Sequence, residues 1–158
     1  MFDFYSEKSL RAFISKAEAH RLKKARGEKA VEEVVTRTAK LARQPRFESL
    51  RQVASPAGAT LVVDEYHEKL LIRRAAATLR RVHDVEFVDR TRACAALRGL
   101  LKESIPCQIL RFDIARFFDS VDRESVLSKI QGTEHRSPRT SRILRSLFDH
   151  DVVAAMPG

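Results

Sequence analysis

The sequence predicts an α+β fold that is mostly helical. Three observations carry that expectation. Apolar residues recur at helical spacing through most of the chain, and strand-like patterns are confined to two short stretches, 60–63 and 108–114. Only five Gly and five Pro occur in 158 residues, which argues against a loop-rich or disordered chain. At 44% hydrophobic residues, a chain of this length suits one globular domain with a real core.

Residues 1–44 read as a basic helical amino-terminal region. Leu10, Phe13, Ile14 and Ala17 share one helical face behind Ser6 as cap, and Gly27 interrupts the pattern. The spacing predicts a second helix carrying Val31, Val34, Val35, Thr38 and Leu41, ending before Pro45. Residues 45–63 read as a connection and a short strand: 44–60 is rich in Pro, Ser, Gly and Gln, and 60–63 is the strand. Residues 64–106 hold two helices. In the first, Tyr66, Leu70, Leu71, Ala75, Leu79 and Val82 mark an apolar stripe, with Arg73, Arg74, Arg80 and Arg81 largely off it. The second, 89–102, is expected to bury Ala93, Ala96, Leu97, Leu100 and Leu101.

Residues 107–158 open with an apolar strand that ends near Asp113. Asp122 then suits the cap of a helix holding Val126, Leu127 and Ile130, closed by Gly132. Ser137-Pro138 is a cap followed by a first-turn proline, and Ile143, Leu144, Leu147 and Phe148 form the next apolar face.

The formal charge is +9, unevenly spread: residues 1–80 carry 17 Lys/Arg against 10 Asp/Glu, and residues 81–158 carry 13 against 11. A basic half beside a balanced half fits a grip on a polyanion, since each Lys or Arg on a phosphate releases counterions; a solvated helical surface fits equally. The 64–82 helix, with Arg73, Arg80 and Arg81, is the best surface for nucleic acid. Cys94 and Cys107 read as buried or half-buried thiols of a cytosolic protein, without a disulfide framework or zinc site. The five histidines show no metal-ligand spacing, and there is no signal-peptide pattern, membrane-length apolar run, Gly-rich phosphate loop or Gly-flanked serine nucleophile.

The run 108–121 carries the most chemistry. A strand end presents Asp113, a hard oxygen donor suited to Mg²⁺ together with substrate phosphates, and the Ile114 carbonyl is a further oxygen. Phe118 stands where it could pack in place of a ribose 2′-hydroxyl and so favour deoxynucleotides. A buried strand ending in an acidic turn, with Asp119 and Asp122 as turn and cap residues, is the plainer alternative.

Phe112-Asp113-Ile114-Ala115-Arg116-Phe117-Phe118-Asp119-Ser120-Val121 resembles the first catalytic palm motif of bacterial reverse transcriptases. YHEKLLIRRAAATLRRV, then Asp89-Arg90, then a helix, then the Asp113 strand, is similar in order to the abortive-infection and defence-associated reverse transcriptases. The resemblance covers roughly residues 65–148, with about ten residues in its specific part. It implies a fingers and early palm portion with a helical amino-terminal extension. It also implies an RNA template or noncoding RNA, a DNA product, deoxynucleoside triphosphates, Mg²⁺, a role in antiphage defence, and a possible oligomer or partner subunit. Basic fingers residues approach the incoming triphosphate in that family, which points to Arg74 and Arg90. Either arginine could instead bridge a carboxylate such as Glu86 or Asp89.

The family's second motif, an aromatic residue, one variable residue and two aspartates, has no counterpart, since Asp149-His150-Asp151 lacks both the pair and the strand pattern. Ala154-Ala155-Met156-Pro157-Gly158 falls about where the family's Pro-Gly loop begins. A two-metal site needs both carboxylates, so this stretch alone is not expected to polymerise. The competing expectation is a non-catalytic nucleic-acid-binding helical module on a polymerase-like scaffold; an interaction domain with an incidental basic surface is a third.

Overall fold

The computed structural model describes residues 3–55, 58–85, 89–103, 106, 108, 110, 121–132, 137–150 and 153. Among them the chain runs α1 (Glu7–Phe13), α2 (Lys16–Arg26), α3 (Ala30–Arg43), β1 (Leu50–Ser55), β2 (Gly58–Val63), α4 (Tyr66–Val82), α5 (Arg90–Lys102), α6 (Arg123–Gln131) and α7 (Pro138–Phe148). The architecture is α+β and mostly helical, with one antiparallel hairpin.

Where one amino-terminal helix was expected, there are two. The apolar period runs on to Ala17, but Ser15 and Glu18 form a capping box: the Glu18 N–H donates to Ser15 Oγ at 3.3 Å and the Ser15 N–H donates to the Glu18 carboxylate at 3.0 Å. That reciprocal pair satisfies the open donors of a new helix start and breaks the pattern there. Ser6 caps α1 as expected, and Gly27 closes α2 at φ 92°, a conformation that a Cβ would strain.

The 44–60 stretch is not all connection, because Leu50–Ser55 is a strand. Leu50 pairs with Val63 and Ser55 with Gly58, so the expected 60–63 strand starts two residues early. Its entry is held from α4. The buried Glu68 carboxylate accepts the N–H groups of Glu48 at 2.9 Å and Ser49 at 3.2 Å, together with the Ser49 hydroxyl at 2.9 Å. Those contacts come from about twenty residues downstream, and nothing local to 44–60 announces them.

Two apolar clusters meet on α4. Leu70 joins Leu10, Leu22, Val31, Val34 and Val35, while Leu71 and Ala75 join Tyr5, Phe47, Leu50 and Ile143. Leu70 and Leu71 are both fully buried, so truncating either to Ala costs about 2–5 kcal/mol. Thr38 adds a polar tie, donating to the Val34 carbonyl at 2.7 Å and the His67 carbonyl at 3.2 Å. At the carboxyl side, Asp122 and Ser137 cap α6 and α7 as their sequence signals predict. Tyr5, 2% exposed, reaches α7 through a 2.7 Å hydroxyl pair with Thr140.

The expected burial of α5 is corrected. Residues 91–103 are exposed, Ala93 and Ala96 included, with Leu97 at 42%, Leu100 at 59% and Leu101 at 54%. Helical periodicity defines an apolar face but not what covers it, and none of the described residues does. Cys94 rides on α5 and is therefore exposed rather than buried; Cys107 lies outside the described residues. Among the described residues, no helix is long and apolar enough to cross a membrane.

Candidate nucleic-acid interface on the fourth helix

Burying Leu70, Leu71, Ala75 and Thr78 fixes how α4 rolls, and that roll sets the positions of its four arginines. Arg73, Arg80 and Arg81 are exposed and Arg74 is half-buried. The structure also brings the amino-terminal segment onto this arginine row.

Arg74 is held most completely. Its Nε donates to the Phe4 carbonyl at 2.9 Å and its Nη2 to the Ser9 hydroxyl at 2.9 Å. Its guanidinium carbon lies 5.4 Å from the Phe4 ring centroid and 5.1 Å from that of Phe13, within cation–π range. Burial lowers its pKa from the usual arginine value, with Tyr5 opposing and Arg81 reinforcing the shift. Among the described residues its partners are thus a backbone carbonyl, a hydroxyl and two rings, and not Asp89; Glu86, the other expected bridging carboxylate, lies outside the described residues.

Arg73 pairs with Glu18 of α2 and lies 5.6 Å from the Phe13 centroid. The Arg73 hydrogen bond holds the Glu18 carboxyl down at about 2, and Glu18 in turn raises the pKa of Arg73. Arg81 lies 5.7 Å from the Phe4 centroid. Arg80 stands one position before it, exposed in the last turn. Arg90 is the first residue of α5, behind the Asp89 cap, whose carboxylate accepts the Thr91 N–H at 3.1 Å.

Asp113, Ile114 and Phe118 lie outside the described residues, as do most of the expected 108–114 strand and the Pro157-Gly158 pair. Among the described residues, no three His, Cys, Asp or Glu side chains gather into a metal-holding group. The sequence reading missed Phe4, Ser9, Phe13 and Glu18 as partners of the arginine row. The Ser15-to-Glu18 capping box was the one local signal that would have placed Glu18 at a helix start.

No family model, curated protein or solved structure matches the chain.

Proposed function

We propose that the chain is the fingers and early palm portion of a reverse transcriptase, a cytoplasmic RNA-directed DNA polymerase of an antiphage defence system. The observation that carries this is the run from Phe112 to Val121, with its carboxylate, backbone carbonyl and aromatic residue at the palm-motif spacing. Further support comes from the order of elements, since a hairpin and an arginine-bearing helix precede that run.

Mg²⁺ supplies Lewis-acid stabilisation of the charge that develops during nucleotidyl transfer. The Asp113 carboxylate and Ile114 carbonyl are the hard oxygen donors such an ion prefers. Phe118, five positions after Asp113, is assigned the exclusion of a ribose 2′-hydroxyl and so the preference for deoxynucleotides. Arg74 and Arg90 meet the triphosphate, while Arg73, Arg80 and Arg81 meet the nucleic-acid backbone, where an arginine fork can donate two parallel bonds. Transfer is assigned to an enzyme in which a second carboxylate joins Asp113. An RNA template or noncoding RNA and a DNA product are the partners, and an oligomer or partner subunit is compatible.

The alternative is a non-catalytic nucleic-acid-binding helical module, favoured by how fully Arg74 is engaged by Phe4 and Ser9. The experiment that separates the two is primer extension on an RNA template by the full-length protein, with deoxy- and ribonucleotides compared. The polymerase reading expects deoxynucleotide incorporation, with Phe118→Ala admitting ribonucleotides about 10- to 100-fold more readily. RNA binding without incorporation of either nucleotide selects the binding module.

A further inference from the structure

A second group of arginines faces a groove remote in sequence from α4. Arg46 comes from the segment between α3 and β1, and Arg142 and Arg145 stand one turn apart on α7. Together they line an open groove of about 620 Å³. All three are exposed, while Ile143 and Leu144 between the two α7 arginines are buried. The fold therefore turns both guanidinium-bearing residues outward by burying their neighbours.

The groove has fixed walls. Ser146 Oγ donates to the Pro45 carbonyl at 2.9 Å, and His150 Nε2 donates to the Phe47 carbonyl at 3.0 Å. Phe47, 4% exposed, sits in the core beside Leu50 and Ile143. The 45–47 backbone is thus tied on both sides of Arg46, to Ser146 of α7 and to His150 just beyond its end, which places that arginine in one groove with Arg142 and Arg145.

Charge in the groove is unbalanced. Among the described residues, no carboxylate forms an ion pair with Arg46, Arg142 or Arg145. The hydrogen bond that Arg142 gives goes to a backbone carbonyl, that of Pro138, at 3.4 Å. Asp149 is the single carboxylate among the lining residues, so three cations face one anion. This differs from the α4 row, where Arg73 is neutralised by Glu18 and Arg74 is tied to the amino-terminal segment. Three guanidinium groups facing a single carboxylate along an open groove suit a ligand that repeats its negative charge.

We propose that the Arg46, Arg142 and Arg145 groove binds the phosphodiester backbone of a single-stranded nucleic acid. This rests on the proposed function for the class of partner alone and uses none of its residues. The contacts are to phosphates, so they confer affinity without base preference.

The test is binding of a labelled single-stranded oligonucleotide to the full chain across a series of salt concentrations. Each lost phosphate contact lowers the log–log salt slope by about 0.7, so the triple variant R46Q/R142Q/R145Q is expected to lose about two units. The matched control R92Q/R98Q/K102Q, on exposed α5, removes the same charge and is expected to lose less than one unit. Asp149→Asn is expected to tighten binding. Neither inorganic phosphate at equal phosphate concentration nor phosphatidylserine vesicles are expected to displace the oligonucleotide. If the triple variant unfolds, the single variants R46Q, R142Q and R145Q read the same slope in steps of about 0.7. An unchanged slope in the groove variants, an equal loss in the control, weaker binding by Asp149→Asn, or displacement by phosphate or vesicles overturns the proposal. No incorporation is measured, so failure here leaves Asp113 untouched, and failure of Asp113 leaves the groove untouched.

Discussion

Arg74 clasps Phe4 from seventy positions away, donating Nε–H to its carbonyl at 2.9 Å while its guanidinium lies 5.4 Å from the centroid of the same residue's ring. One side chain thereby holds both the backbone and the side chain of the amino-terminal segment. Replacing Arg74 by Ala is expected to lower the unfolding free energy by about 2–3 kcal/mol in urea titration, from lost charge-assisted hydrogen bonds and ring contact. Arg74→Lys should recover less than half of that, because an ammonium cannot reproduce the planar fork that reaches Phe4 and Ser9 together. Full recovery by lysine would reduce the contact to its charge.

Glu68 is expected to matter for the hairpin more than for any external ligand. Removing its carboxylate by Glu68→Ala leaves the part-buried N–H groups of Glu48 and Ser49 without their acceptor, at a cost of about 2–3 kcal/mol. Glu68→Gln keeps one acceptor oxygen but turns the other partner into a donor, so about 1–2 kcal/mol is expected. Equal stability of the alanine variant and the parent in urea unfolding would remove this tie from the fold.

Glu18 predicts how stability changes in acid. Its carboxyl is held down from 4.5 to about 2, chiefly by the Arg73 hydrogen bond, so the folded state binds that proton less readily than the unfolded state. The stability that this pair contributes is present above pH 4.5 and fades as pH falls towards 2. The stability difference between the parent and Glu18→Gln should therefore shrink across that window, as followed by thermal unfolding at each pH. A constant difference would separate the carboxyl from the pairing.

Local signals in the sequence predicted the helices well, and long-range contacts account for what it left hidden. Asp122 and the Ser137-Pro138 pair announced α6 and α7 because caps are chemistry between residues two or three apart. β1 was hidden since its entry is secured by Glu68 and its partner is a strand beyond a turn. The break between α1 and α2 was obscured because an apolar period crossed Ser15, and the capping box overrode it. For α5 the apolar face was legible, but a face does not name its cover.

The α4 arginines were legible as a row off the apolar stripe, whereas their engagement by Phe4, Phe13 and Glu18 depends on how α1 and α2 fold back, which no spacing within α4 encodes. The groove arginines were equally hidden, since Arg46 and Arg142 approach one another only through packing of Phe47 and Ile143 in one core.

Asp113 carries the central claim, and one assay reaches it most directly: Mg²⁺-dependent deoxynucleotide incorporation on an RNA template by the full-length protein, with and without Asp113→Ala. The expected result is extension by the parent, none by the variant, and unchanged RNA binding by both. Extension that survives the substitution would contradict the metal-binding role of Asp113.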